Sequence, residues 1–151
     1  MEEGMRRTAY MAIATLVSFG SLAHAQAVRQ TDCQVTWSDA TSSCAFEVVK
    51  IDKPIVVRIV AGTIANEGGG TWPSGVNVVI ELAQSTDPLV RHVSQVVIPS
   101  GRFNVEHVAA GEYCFRVGVR PLGWGCVEGR IVVSPTAPEL AHVEITVPLG
   151  K

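Results

Sequence analysis

Charge and aromatic rings are both scarce in this sequence, at 17% and 6% of residues, and neither a basic block nor an acidic tail is present. Nucleic acid is a poor partner for such a chain, because phosphate binding needs a clustered positive field and the formal net charge is −2. No segment carries a sustained helical period, and there is no internal repeat and no low-complexity linker. Hydrophobic residues at 47% of the 151 positions supply a core and argue against disorder; the length favours one domain.

The usual marks of catalysis are missing too. His92, His107 and His142 lie far apart, without the H-E-x-x-H or H-x-H spacing that brings two imidazoles to one metal. No G-x-S-x-G elbow presents a serine, and the acids Asp39, Asp87, Glu106, Glu112, Glu128, Glu139 and Glu144 are scattered. "GWGCVEG" (Gly123–Gly129) lacks the third-glycine spacing and the following helix of a dinucleotide loop. The expectation is a non-enzymatic protein with no catalytic residues, no metal and no cofactor.

What is present begins with an address. Arg6 and Arg7 precede an apolar stretch from Ala9 to Leu22, and "AHA" (Ala23–Ala25) follows. A positive start, a short apolar run and a small-x-small site describe a secretory signal peptide over residues 1–25, cleaved after Ala25. The 14-residue run is shorter than the ~20 residues that span a bilayer, so no membrane span is expected after cleavage. Glu2 and Glu3 fit such a signal badly, and initiation at Met5 would remove them. The mature chain is expected to be secreted or periplasmic, where disulfides form.

Beyond residue 25, apolar residues alternate or cluster in short runs between Gly, Pro, Ser and Asp, the pattern of an all-β protein. Strands are expected at Gln34–Trp37, Ala45–Lys50, Ile55–Ile64, Val76–Leu82, His92–Ile98, Arg102–Val108, Glu112–Val119, Arg130–Val133 and His142–Pro148. Many short strands at this spacing suggest a β-sandwich. In "SGRFNVEHVAAGEYCFRVGV" (Ser100–Val119), Phe103, Val105 and His107 share a face, and so do Tyr113, Phe115, Val117 and Val119. Gly101 and Gly111 stand where the chain turns into each strand, and the Tyr113 hydroxyl can satisfy a buried backbone group. Residues 26–53 are expected to form an N-terminal hairpin extension, and residues 54–151 the sandwich.

"PSGRFNVEHVAAGEYCFRV" resembles the signature of carboxypeptidase regulatory-like domains, with Gly101, Phe103, Val105, Val108, Gly111, Tyr113, Phe115 and Val117 at its positions. "VAGTI" (Val60–Ile64) and "WPSGVNVVIEL" (Trp72–Leu82) are similar to its opening strands, and "IVV" and "VEITVPL" to its closing ones. The resemblance covers about Ile55–Leu149 and implies a seven-stranded, Ig-like or prealbumin-like sandwich, a carbohydrate-binding-like fold. The cysteine-bearing loop "GWGC" is an addition to that pattern.

Four cysteines allow three pairings. Cys33 and Cys44 are symmetric about Ser38–Asp39, and Cys114 and Cys126 about Arg120, so each pair is expected to face across its own hairpin as a local disulfide. Zinc is disfavoured by the lack of C-x-x-C spacing and by the compartment. Two functions fit: a structural or protein-interaction module with an envelope partner, which is preferred, or a carbohydrate-binding module. The second would stack sugar on Trp72 and Trp124, which lie in Gly/Pro-rich loops; each could equally plug an end of the core.

Overall fold

A computed structural model describes residues 33–42, 44, 48–69, 71–121 and 125–148. The expected signal peptide lies outside these residues, as does Trp124. Cys33–Lys151 forms one compact unit. Among the described residues one helical turn, α1 (Asp39–Ser42), precedes nine strands: β1 (Val48–Lys50), β2 (Ile55–Val57), β3 (Val60–Asn66), β4 (Asn77–Ala83), β5 (Arg91–Gln95), β6 (Arg102–Val105), β7 (Gly111–Arg120), β8 (Cys126–Val133) and β9 (Val143–Val147). The larger sheet runs β1-β8-β7-β4-β5 with β2 also on β8; the smaller runs β6-β3-β9. Among the described residues no helix is long and apolar enough to cross a membrane.

The expected strand Ile55–Ile64 is broken in two. The chain leaves the larger sheet after Val57, paired with Val133, and enters the smaller one at Val60, paired with Val105. Val57 and Val60 are both buried, so Arg58 and Ile59 form a two-residue crossover between core positions. Burial decides the break: one continuous strand could not place both valines against the facing sheet.

Alternation holds best in β6 and β7. Phe103, Val105, Tyr113, Phe115, Val117 and Val119 all enter one buried cluster, joined by Ile80 and Leu82 of β4, Ile131 of β8 and Ile145 of β9. Both sheets thus share a core, each fully buried aliphatic or aromatic side chain contributing about 1.5–3 kcal/mol. Gly101 and Gly111 enter their strands at φ +82° and +151°. At Gly101 a side chain is also excluded sterically, because a Cβ would lie 2.4 Å from the Ile64 carbonyl oxygen. The Tyr113 hydroxyl donates to the Ala109 carbonyl at 2.7 Å, and burial raises its pKa against the opposing bond with Gln84. His107 departs from expectation. The strand ends at Val105, and His107 turns out of the sheet with φ 63°.

The N-terminal hairpin is corrected. Residues 33–38 have no regular structure, and Asp39–Ser42 is helical where a hairpin turn was expected. β1 pairs in parallel with β8, Val48 beside Cys126. The disulfides are corrected with it: Cys33 is bonded to Cys114 and Cys44 to Cys126, with Cα separations of 5.8 and 5.9 Å. Register explains the error. The β7–β8 ladder sets Cys114 opposite Arg130, because the connection through Pro121–Gly125 is longer than a turn centred on Arg120. Cys114 and Cys126 are therefore out of each other's reach on the hairpin, and each takes a partner from the N-terminal segment.

Residues 33–42, with Cys44, consequently form a strap over the outer face of the larger sheet. Gly118 admits it, since a Cβ there would come within 3.0 Å of the Ala40 carbonyl oxygen. Beneath it lies Glu81, fully buried on β4. Its carboxylate accepts the Ser38 backbone N–H at 3.1 Å, the Ser38 hydroxyl at 2.7 Å, the Thr41 hydroxyl at 2.6 Å and the Arg91 guanidinium. Burial pushes the Glu81 pKa up, but the bonds from Thr41, Ser38 and Arg91 outweigh it and hold the carboxyl below its ordinary range. Nearby, Trp37 donates its indole N–H to Glu128 at 3.1 Å and lies under the Arg116 guanidinium, 5.6 Å from ring centre to Cζ. Arg116 and Arg120 donate to the backbone carbonyls of Thr41 and Asp39.

Candidate interaction surface

Strand registers bring four connections to one end of the molecule. β2 ends at Val57 beside Val133, the last residue of β8, and β7 starts at Gly111 opposite the same valine. β4 ends at Ala83 opposite Cys114, near the start of β7. β6 ends at Val105 opposite Val60, and β9 starts at Val143 beside Gly62. Residues 58–59, 84–90, 106–110 and 134–142 therefore emerge together.

These connections are tied to the sheets and to one another. Arg58 donates through Nε to the Ala137 carbonyl, joining the crossover to the 134–142 loop. Tyr113 holds the 106–110 loop through Ala109 and stacks edge-on against His92, with ring centroids 6.1 Å apart, next to the 84–90 loop. That loop closes through Gln84 N–H to Val90 C=O at 3.2 Å, and its Asp87 carboxylate accepts the Leu89 N–H at 3.1 Å. In the 134–142 loop, Ala137 N–H donates to Ser134 and Ala141 N–H to Pro138.

On this braced end stand three large aliphatic side chains in water: Leu89 at 90% exposure, Leu140 at 89% and Ile59 at 63%. A single exposed leucine is ordinary, but three large aliphatic side chains on separate connections at one end are more than water favours. An open groove of about 310 Å³ runs beside Ile59, floored by Val60, Val105 and Val108 and rimmed by Arg58, Asn104, Glu106 and His107. Its size is at the low end for ligand pockets. The four connections carry one arginine, Arg58, against Asp87, Glu106 and Glu139. Beside them His142 Nε2 lies 2.6 Å from Glu144; that hydrogen bond, with one to the Leu140 carbonyl, raises the His142 pKa.

Of the residues singled out from sequence, Asp87, Glu106, His107, Glu139 and His142 lie on these connections, whereas the tryptophan and cysteine candidates among the described residues fall elsewhere. Trp72 is 2% exposed, donates its indole N–H to the Ile64 carbonyl at 2.6 Å and belongs to the core, so it offers no stacking face. Its partner in that idea, Trp124, lies outside the described residues. The four cysteines are all in disulfides. His92, His107 and His142 contact Tyr113, Glu106 and Glu144 respectively, not each other. Among the described residues no group of three or more His, Cys, Asp or Glu side chains could hold a metal ion. Nothing in the sequence pattern marks Leu89 or Leu140, which lie outside the expected strands, and Ile59 falls within the expected strand Ile55–Ile64. No family model, curated protein or solved structure matches this chain.

Proposed function

We propose that this chain is an exported, non-catalytic interaction module that presents its loop end to another protein in the cell envelope or outside the cell. The observation that carries the reading is that Ile59, Leu89 and Leu140, each largely solvated, stand at one end of the molecule on connections ordered by hydrogen bonds. Ordered loops lose little entropy on binding, which is what a docking face needs. Export is supported by the apolar stretch before "AHA" and by two disulfides, which persist in oxidising compartments. The fold reading is a carboxypeptidase regulatory-like sandwich of prealbumin type. Its support is that β3–β9 number seven and divide as β4, β5, β7 and β8 against β3, β6 and β9, with β1 and β2 as an added edge. Sugar stacking on Trp72 is disfavoured by its burial.

Fractionation tests the export. The chain expressed from Met1 or Met5 should be recovered outside the cytoplasm, beginning at Gln26 and with no thiol titratable under denaturing conditions. Recovery in the cytoplasm with four free thiols would overturn it.

A further inference from the structure

We infer that the loop end docks a protein surface that is aliphatic at its centre and basic at its rim, with one apolar anchor side chain of the partner seated in the groove beside Ile59. This deepens the proposed interaction function and rests on it. The groove supplies the anchor site: Val60 and Val105 are buried beneath it, while Ile59 stands 63% exposed at its lip. An open recess of about 310 Å³ is large enough to receive one apolar side chain of a partner. Leu140, on the loop that Arg58 ties to the crossover, and Leu89, on a further connection at the same end, add exposed apolar side chains on ordered turns.

Charge sets the partner's rim. Asp87, Glu106 and Glu139 lie on the four connections, and the only arginine among them, Arg58, is turned by its Nε toward the Ala137 carbonyl. The Glu106 carboxylate lies 3.9 Å from the His107 ring. Exposed carboxylates on the same connections as the aliphatic tips attract lysine and arginine on an approaching surface and repel anionic lipid headgroups. The occupant is therefore a protein, not an anionic bilayer.

The test uses the oxidised chain and a synthetic amphipathic peptide of leucine and lysine, beside its leucine and glutamate counterpart. Saturable binding of the lysine peptide, weakening with salt, is expected, with the glutamate peptide at least tenfold weaker. Ile59→Ser with Leu140→Ser should weaken the lysine peptide about tenfold at an unchanged thermal midpoint, since both side chains are exposed. Asp87→Asn with Glu106→Gln and Glu139→Gln should weaken it severalfold and flatten its salt dependence. Equal binding of both peptides, or binding indifferent to either set of variants, would overturn the inference. So would two other results. Phosphatidylcholine vesicles bound more tightly than the peptide would make the surface a membrane contact, and a dimer in sedimentation that Ile59→Ser dissolves would make it a self-contact. Export is read by fractionation and this surface by binding, so each can fail without the other.

Discussion

Phe115 and Cys114 are neighbours on β7, yet opposite kinds of matter hold them. Phe115 points into the cluster shared with the smaller sheet, among Ile80, Leu82 and Ile131. Cys114 points the other way and is bonded to Cys33 of the strap. The larger sheet thus has two covers. One is a second sheet, broad and apolar, held by the transfer of hydrocarbon out of water. The other is a dozen residues with one helical turn, held by two covalent bonds and a buried carboxylate. A short segment cannot bury enough apolar area to order itself, so cross-links and fully bonded polar groups take over.

The cross-links should be where that difference is largest. Each closes a loop of about 80 residues (sequence separations of 81 and 82), for which loop-closure entropy gives about 4–5 kcal/mol for the first bridge formed. Serine at all four cysteines should therefore lower the unfolding free energy in denaturant by at least about 4 kcal/mol. A loss below about 1 kcal/mol would mean that the strap is held by its polar contacts alone.

Truncation on the apolar side should come next. Phe115→Ala removes a ring with no exposure and should cost roughly 3–5 kcal/mol, and Tyr113→Ala a similar amount, since it also loses the hydroxyl bond to Ala109. Circular dichroism with denaturant measures both. If either costs less than the cysteine replacement by only a small margin, the two covers weigh nearly the same.

Much of the apolar cover was legible and little of the strap. Period-two alternation after Gly101 and Gly111 placed Phe103, Val105, Tyr113, Phe115 and Val117 correctly, because a one-residue slip would expose every one of them. Alternation puts Arg116 on the face of β7 opposite Phe115 and Val117, but it carries no sign that a distant segment covers that face and the Glu81 carboxylate beside it. Disulfide partners failed for a related reason: pairing across β7 and β8 depends on the length of the connection through Pro121, which shifts the register and carries no periodic signal. Trp72 in its Gly/Pro-rich loop was ambiguous between plug and platform until its indole found the Ile64 carbonyl. The loop-end aliphatics stayed hidden because exposure follows from where connections emerge, which only the strand order decides.

Glu81 is the polar counterpart of Phe115, and its replacement should be milder. Glu81→Gln keeps the shape but removes the charge facing Arg91 and puts an amide donor where Ser38 and Thr41 already donate, an expected loss of about 2–3 kcal/mol. Acid should act on the same group. Because the folded-state pKa is depressed, the stability Glu81 contributes is present above its unfolded value and lost as pH falls through the folded one. Wild-type protein should thus lose stability below about pH 4.3 with a slope that Glu81→Gln lacks. Parallel acid curves would assign that slope to other carboxylates.

The smallest effect should come from the outer edge of the smaller sheet, and it has the opposite sign. His142 is exposed and hydrogen-bonded to Glu144, which raises its pKa. Its contribution is complete below the unfolded histidine value, about 6.5, and is lost as pH rises through the raised folded value. Glu81 and His142 should therefore titrate at opposite ends of the acidic-to-neutral range, the buried carboxylate strongly and the solvated imidazole weakly. Nuclear magnetic resonance of the His142 ring should give a midpoint above the ordinary histidine value, falling toward it in Glu144→Gln while the bond to the Leu140 carbonyl remains. A midpoint unmoved by that substitution would show that the carboxylate does not hold the ring, leaving Glu81 as the polar contact whose titration the fold feels.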